Sequence, residues 1–171
     1  MKNLVLIGLR GSGKSTVGRA LAEQLGRRFV DIDEQIELEQ HLTVAKLFET
    51  EGEPAFRVLE SNVIERFAAG SGQVIAVGGG AVLVAANRDQ LRAAGTCVWL
   101  TASDAELHRR VASDPRTASL RPALTDATAL EEIGRLHQER APLYAEVAHH
   151  CVDTTGRDVG QVVEAVLAVL D

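Results

Sequence analysis

Short apolar runs recur along the chain and alternate with longer stretches that have helical spacing. Five of these runs predict buried strands, at residues 4–7, 29–32, 74–77, 97–100 and 150–153. The stretches between and after them predict helices at residues 14–25, 34–50, 54–68, 86–93, 104–112, 127–146 and 158–170. Because strands and helices alternate in this way in stacked βαβ units, the pattern predicts an α/β fold with a mainly parallel sheet.

The domain organisation predicted from the sequence is a single domain over residues 1–171. No internal repeat, low-complexity run or long linker divides the chain. Its least regular stretch is 113–126, SDPRTASLRPALTD, where prolines, serines and two arginines interrupt the helical spacing. A segment of this kind between two helices predicts a mobile lid.

Composition and charge restrict the classes of partner. The net charge of −6 provides no general attraction to nucleic acid or to an anionic membrane, so we expect neither as a partner and expect anionic ligands to be held locally. No apolar stretch reaches membrane-spanning length, and Met1 leads directly into the first predicted strand. Cys97 and Cys151 lie in apolar runs and are predicted to be buried thiols. We therefore expect a cytoplasmic protein, and a monomer.

Residues Gly8 to Ser15, GLRGSGKS, fit the phosphate-loop pattern G-x-x-x-x-G-K-[ST] between a predicted strand and a predicted helix. The glycines let backbone N–H groups converge on an anion, and the helix adds its positive N-terminal end. Lys14 can then reach the β- and γ-phosphates, while the Ser15 hydroxyl can bind Mg²⁺. The loop predicts nucleotide binding but does not by itself separate kinases from other nucleotide-binding proteins.

An acidic pair, Asp31 and Asp33, follows the second predicted strand. In an extended segment the two carboxylates would lie on the same side, at the sheet edge where the phosphate loop also lies. One carboxylate could orient the water shell of a metal ion while the other accepts a hydrogen bond from an attacking hydroxyl. Asp33 could instead only cap the helix predicted to begin at Glu34.

Three further groups of residues are weak signals when taken singly. They are Phe56-Arg57 with Glu60 one turn later, Gly78-Gly79-Gly80 after the third strand, and Arg140-Ala-Pro-Leu-Tyr144. Each has an ordinary structural explanation as a solvated helix face, a tight turn or a cation at a helix C-terminus. Together they indicate a polar pocket suited to an anion.

These motifs, taken in order, resemble those of the shikimate kinase family across essentially the whole chain. The matching segments are GLRGSGKST, DID, LFETEGEPAFRVLE, VGGGAV, and RPAL with RAPLY. The resemblance implies a P-loop NTPase fold like that of nucleoside monophosphate kinases, with five parallel strands and an acceptor-binding subregion near residues 33–60. It also implies transfer of the γ-phosphoryl of ATP, the co-substrate, to the 3-hydroxyl of shikimate, giving shikimate 3-phosphate and ADP.

The resemblance implies roles for individual residues. Those it places at the nucleotide are Gly11, Ser12, Gly13, Lys14, Ser15, Thr16, Arg110, Arg121 and Arg157. On the acceptor side it implies that Asp33 meets the reacting hydroxyl, whereas Arg57, Arg140 and the Gly79 N–H hold the carboxylate. The implied catalytic residues are Lys14, Asp33 and Arg121. One Mg²⁺ ion would be held by Ser15 and, through water, by Asp31.

Two departures and two alternatives remain open at this point. Arg116 could replace Arg121 at the phosphates, and the third strand ends in Val77-Gly78 without the usual acidic residue, which leaves Asp31 to serve the metal. A gluconate-type or other small-metabolite kinase would share the loop and the fold. A P-loop module that binds a nucleotide without catalysis is the alternative from a different class.

Overall fold

The computed structural model describes residues 1–114 and 126–170. In chain order its elements are β1 (Asn3–Ile7), α1 (Lys14–Leu25), β2 (Arg28–Asp31), α2 (Ile32–Gln40), α3 (Val44–Ala68), β3 (Gln73–Ala76), a 3₁₀ turn (Ala81–Leu83), α4 (Ala85–Ala94), β4 (Gly95–Thr101), α5 (Asp104–Ser113), α6 (Asp126–Val147), β5 (His150–Asp153) and α7 (Val159–Ala168). Most of the predicted lid, including Arg116 and Arg121, lies outside the described residues.

The five strands form one parallel sheet in the order β2-β3-β1-β4-β5, which confirms the fold predicted from the apolar runs. The chain leaves β1 toward one side of the sheet and later returns to build the other side, so β1 lies at the point where the strand order reverses. Ligands of open α/β sheets bind beyond the carboxyl ends of the strands at such a point. The phosphate loop follows β1, and a run of three glycines, Gly78-Gly79-Gly80, follows the neighbouring strand β3. We call these three residues the glycine run.

Apolar side chains cover both faces of the sheet. In β1, Leu4 and Leu6 pack on one face with α1 and α7, whereas Val5 and Ile7 pack on the other face with α2, α3, α4 and α6. Burial on both sides explains why the central strands read as continuous apolar runs. No helix in the described part of the chain is both long and apolar enough to cross a membrane.

The predicted helix over residues 34–50 is wrong as a single element. The helix α2 ends at Gln40, His41 adopts a left-handed conformation with φ 54°, and α3 begins at Val44. Thr43 starts α3 because its hydroxyl accepts a hydrogen bond from the Lys46 N–H at 3.2 Å. Within α3, Gly52 has φ 80° and ψ 166°, which introduces a kink between the segments before and after it.

The second strand ends one residue earlier than predicted, and this changes the assignment of the helix cap. The strand β2 stops at Asp31, and Ile32 already belongs to α2. Asp31 Oδ1 accepts hydrogen bonds from the N–H groups of Asp33 at 3.1 Å and Glu34 at 3.4 Å. Asp31, and not Asp33, therefore caps the helix.

The prediction that both cysteines are buried holds for Cys97 and is wrong for Cys151. Cys97 lies in β4, which has a neighbouring strand on each side. Cys151 lies in β5 at the edge of the sheet, where its side chain is exposed. An apolar run therefore located this strand without showing that it is an edge strand.

Candidate active site

The phosphate loop joins β1 to α1 through residues 8–13. Its three glycines have positive φ angles of 144° at Gly8, 83° at Gly11 and 94° at Gly13, which side chains with a Cβ rarely adopt. Gly11 also packs closely on α5, because an added Cβ would lie 2.9 Å from Val111 Cγ2. The loop thus depends on glycine both for its backbone conformation and for its contact with the neighbouring helix.

Lys14 is folded back over this loop. Its Nζ donates hydrogen bonds to the carbonyl oxygens of Gly8 at 2.8 Å and Leu9 at 2.9 Å. Burial lowers the pKa of Lys14 to about 8, although the negative charges of Asp33 and Asp31 act in the opposite direction. The loop therefore holds a partly dehydrated cation next to its converging backbone N–H groups, which is an arrangement suited to phosphate.

Ser15 and Asp31 bring two oxygen atoms together beside the loop. The Ser15 hydroxyl donates to Asp31 Oδ2 at 2.5 Å, while Asp31 Oδ1 remains occupied by the N-terminus of α2. Hydroxyl and carboxylate oxygens are the ligands that Mg²⁺ prefers, and the ion usually adds water and substrate phosphates to a few protein ligands. Residues 1–114 and 126–170 contain no group of three or more His, Cys, Asp or Glu able to hold a metal ion. The pair fits a magnesium ion that is bound mainly by a nucleotide.

Asp33 lies in the first turn of α2, where its carboxylate meets that of Glu60 from α3. Both approach Gly78, since a Cβ added there would lie 2.9 Å from Asp33 Oδ1 and 2.7 Å from Glu60 Oε1. Burial, together with the charge of Asp31, raises the pKa of Asp33 to about 6 against the opposing effect of Lys14 and Arg57. Burial likewise raises the pKa of Glu60 to about 7 against the effect of Arg57. Two weakly acidic carboxyl groups thus share one buried region.

Arg57 is fixed by contacts on several sides. Its Nη1 donates to Glu60 Oε2 at 2.7 Å and its Nη2 to Glu53 Oε1 at 3.0 Å. The guanidinium carbon lies 5.4 Å from the ring centroid of Phe56 and 5.7 Å from that of Phe48. Only 16% of the side chain is exposed, so Arg57 is not part of a solvated helix face.

The glycine run provides the space that this arrangement requires. A Cβ at Gly80 would collide with the Arg57 guanidinium, just as one at Gly78 would press on Asp33 and Glu60. Gly79, between them, lies against the phosphate loop, because its Cβ position is 3.4 Å from the Gly8 carbonyl oxygen. The glycine run therefore contacts the phosphate loop as well as the acidic and basic side chains of the pocket.

Arg140 reaches the same pocket from α6. Its charge acts on Lys14 and Glu60 and lowers the pKa of Glu60. Its charge also acts on the phenol of Tyr144, against the burial that raises the pKa of Tyr144 to about 12. The Tyr144 hydroxyl donates to the Gly79 carbonyl at 2.6 Å. Arg140 Nε is buried and has no partner among the described residues. Two guanidinium groups from different helices thus converge near Gly79.

Arg110 lies on the other side of the phosphate loop. Its Nη1 donates to the Gly11 carbonyl at 3.2 Å and to Thr154 Oγ1 at 2.9 Å, and its Nη2 donates to the Thr154 carbonyl at 2.8 Å. A further bond, from Nε to Glu106 at 2.8 Å, fixes the plane of the guanidinium. Arg157 is exposed on the loop after β5, where its charge acts on Asp153. Arg110 therefore links the phosphate loop to the segment that follows β5.

The remaining sequence-predicted residues fall into two groups. Ser12 is buried in the phosphate loop, with no partner for its Oγ in the described part of the chain, and Thr16 is exposed in the first turn of α1. Arg116 and Arg121 are outside the described residues, so the choice between them stays a prediction.

Sequence reasoning noted Glu60 and Tyr144 within motifs but assigned neither a role, and it missed Thr154. The spacing of Arg57 and Glu60, three residues apart on a helix, was a usable signal for the first of these.

The geometry defines a class: a P-loop kinase with a separate acceptor pocket beside the phosphate loop. The model of the shikimate kinase family matches residues 10–171 of this chain. The chain therefore belongs to the shikimate kinase family, and it is an ATP-dependent kinase that acts on a hydroxyl group. This membership decides against both a gluconate-type kinase and a non-catalytic nucleotide-binding module.

Individual relatives agree over nearly the full length. The chain is 44% identical to the shikimate kinase of Symbiobacterium thermophilum over 168 residues, which cover 98% of this chain and 95% of that protein. It is 42% identical to shikimate kinase 2 of Yersinia pestis, with 99% and 95% covered. The solved structure of the shikimate kinase from Acinetobacter baumannii in complex with shikimate is similar with a TM-score of 0.91 and 35% identity, covering 99% of this chain and 93% of that one.

Proposed function

We propose that this protein phosphorylates the 3-hydroxyl of shikimate with ATP and releases shikimate 3-phosphate and ADP. The observation that carries the proposal is the convergence of Arg57 from α3 and Arg140 from α6 on a pocket that contains Asp33 and adjoins Lys14. Shikimate carries a carboxylate on one side of its ring and hydroxyls on the other. Its carboxylate can therefore meet the two arginines while a hydroxyl meets Asp33. The similarity to a relative solved with shikimate bound supports the choice of acceptor.

On the acceptor side, Arg57 and Arg140 bind the shikimate carboxylate and the Gly79 N–H donates to it. Bidentate guanidinium contacts are geometrically matched to a carboxylate and stronger than neutral hydrogen bonds. Asp33 accepts the hydrogen bond of the reacting hydroxyl. With a pKa of about 6, Asp33 is mostly ionised at neutral pH and still basic enough to take up a proton.

On the nucleotide side, the backbone N–H groups of residues 11–16 and the Lys14 ammonium hold the phosphates. Lys14 exchanges its two carbonyl contacts for phosphate oxygens, where its charge stabilises the transferring group. Arg110 and Arg157 border the nucleoside. Arg121 contacts the phosphates from the lid at 113–126, and Arg116 is its alternative there.

One Mg²⁺ ion would accompany ATP; Ser15 would be one of its ligands, and Asp31 would hold it through water. The ion neutralises charge on the phosphates when it is bound. The fit rests on the neighbouring oxygens of Ser15 and Asp31. Single-domain organisation, an acceptor subregion near 33–60, the monomeric state and a cytoplasmic location remain predictions from the sequence.

The test is an assay of ADP production with shikimate, shikimate methyl ester, gluconate or no acceptor. Shikimate should stimulate ADP release. The methyl ester lacks the charge that Arg57 and Arg140 bind, so its KM should be about tenfold or more higher than that of shikimate. Lys14→Ala should abolish the stimulated rate and serves as the control for a contaminating kinase. ADP release that is independent of shikimate, or faster with gluconate, would refute the proposal.

A further inference from the structure

Tyr144 has no role in the proposed reaction, yet its hydroxyl joins two of the groups that do. The side chain is completely buried and packs against Trp99, with ring centroids 5.5 Å apart. Its O–H donates to the Gly79 carbonyl at 2.6 Å, across 65 residues of sequence. The charge of the nearby Arg140 guanidinium also acts on this phenol. One buried hydroxyl therefore bonds the glycine run and lies beside an arginine of the pocket.

The hydrogen bond to Gly79 restricts a backbone that would otherwise be free to rotate. Glycine has the widest range of φ and ψ, and here three glycines follow one another. The Gly78 carbonyl accepts from the Ala81 N–H at 3.0 Å, which orients the peptide that carries the Gly79 N–H. Tyr144 anchors the next peptide by its carbonyl. Both peptides that flank the Gly79 α-carbon are therefore anchored, the second by Tyr144.

Arg140 lies beside the same phenol, since its charge acts on the Tyr144 hydroxyl. That hydroxyl gives its single proton to the Gly79 carbonyl, so its oxygen can serve a neighbouring guanidinium only as an acceptor. Arg140 Nε is buried without a partner in the described residues, so a donor of this group is still available. The guanidinium thus lies next to an acceptor oxygen and keeps a donor for a ligand.

We propose that Tyr144 is a positioning residue for acceptor binding. Its hydroxyl sets the Gly79 peptide and the Arg140 guanidinium in the relative orientation that binds the acceptor carboxylate, without contacting the acceptor itself. The inference rests on the proposed function, because it assumes that Gly79 and Arg140 bind shikimate. The competing explanation is that Tyr144 only fills the space beside Trp99.

The experiment compares Tyr144→Phe, which removes only the hydroxyl, with the wild-type protein. Shikimate affinity by calorimetry and shikimate KM should both weaken by about fivefold or more, while the ATP KM and kcat should stay within about twofold. Shikimate methyl ester should lose little further affinity in the variant, because Tyr144 acts through the carboxylate. A variant with 4-aminophenylalanine at position 144 restores a donor, its N–H, and should recover most of the shikimate affinity.

A matched control separates this effect from general destabilisation. Val163→Ala removes buried apolar volume on the face of the sheet opposite to Tyr144. It should lower Tm as Tyr144→Phe does and leave the shikimate KM unchanged. If Tyr144→Phe does not fold, 4-fluorophenylalanine replaces it, since fluorine fills the space of the hydroxyl without donating.

The outcomes distinguish failure of the positioning role from failure of the proposed function. Normal shikimate affinity in a folded Tyr144→Phe or 4-fluorophenylalanine variant overturns the positioning role and leaves the proposed function intact. Equal losses for shikimate and its methyl ester also overturn it, because they would show that the carboxylate is not involved. A wild-type protein that neither binds nor phosphorylates shikimate overturns the proposed function and this inference with it.

Discussion

The chemistry of Asp33 depends strongly on its surroundings. It lies near the carboxylates of Asp31 and Glu60, and near the cations of Lys14 and Arg57. The structure removes the alternative that Asp33 is only a helix cap, because the cap of α2 is Asp31. A functional loss on changing Asp33 is therefore not a consequence of losing that cap.

The first prediction follows from this separation of roles. Asp33→Asn keeps the shape of the side chain and removes its basic charge, so kcat should fall by about a hundredfold or more if the carboxylate takes the hydroxyl proton. Tm at neutral pH should not fall, because a dehydrated negative charge is removed. Steady-state kinetics beside a melting curve make the measurement, with Glu164→Gln, at an exposed position of α7, as control. A folded variant with kcat within about threefold of wild type contradicts the role of Asp33.

Arg57 combines a structural and a binding role, and the second prediction separates them. Arg57→Ala should raise the shikimate KM about tenfold or more, and it should also lower stability by roughly 3–5 kcal/mol because Glu60 loses its buried partner. The double variant Arg57→Ala with Glu60→Gln removes the unpaired charge, so Tm should recover while KM stays high. Recovery of KM together with Tm would indicate that Arg57 acts only by neutralising Glu60.

At the scale of elements, α5 connects the nucleotide site to the rest of the fold. Its residue Arg110 bonds Gly11 in the phosphate loop and Thr154 after β5. Thr154 is itself buried, and its hydroxyl donates to the Thr101 carbonyl at 3.0 Å. The position of Arg110 beside the loop therefore depends on a side chain from a distant element.

The third prediction concerns this connection. Thr154→Val keeps the shape and the backbone carbonyl but removes the hydroxyl that accepts from Arg110 Nη1, so the ATP KM should rise about three- to tenfold while the shikimate KM changes by less than about twofold. Thr154→Ser restores the hydroxyl and should restore the ATP KM. The measurement is initial rates with each substrate varied in turn. An equal change in both KM values would instead point to a general loss of structure.

The boundary errors in the sequence prediction also arise at this scale. Apolar and polar positions continue through residues 34–50 with helical spacing, so periodicity does not show the break near His41. The true boundaries come from single side chains: Asp31 bonds the first N–H groups of α2, and Thr43 does so for α3. Side-chain caps of this kind compete with periodicity, and at Asp31 the cap ended the strand earlier than the apolar run suggested.

At the scale of the whole molecule, the general position of the site could be predicted because parallel strands end at one edge. The motifs after β1, β2 and β3 are brought together by that rule alone. The contacts of Tyr144 with Gly79 and of Thr154 with Arg110 join residues 65 and 44 positions apart. They depend on how α6 and the segment after β5 pack, which no local pattern in the sequence specifies.

The concentration of buried charge in the pocket has a consequence for the stability of the ligand-free protein. Asp33 and Glu60 have pKa values raised from 3.8 to about 6 and from 4.5 to about 7, both mainly by burial. The pKa of Lys14 is lowered from 10.5 to about 8 for the same reason. All three groups are therefore more costly to keep charged in the folded chain than in the unfolded one.

The fourth prediction is a pH dependence of unfolding with a definite sign. Between about pH 4 and pH 7 the folded protein keeps protons on Asp33 and Glu60 that the unfolded chain has released, so these groups make the free energy of unfolding fall as pH rises. Between about pH 8 and pH 10 the unfolded chain keeps the Lys14 proton that the folded protein has lost, so the contribution of Lys14 rises with pH. Chemical denaturation of the ligand-free protein at pH 5 and pH 7.5 measures the first window, with Asp33→Asn and the exposed-site control Glu164→Gln in parallel. Asp33→Asn should lose less stability than wild type between these two pH values, by an amount on the order of 1–2 kcal/mol, whereas Glu164→Gln should follow wild type. Identical losses in all three proteins would show that Asp33 is not forced into a dehydrated environment, and the chemical basis for its role as the proton acceptor would then be lost.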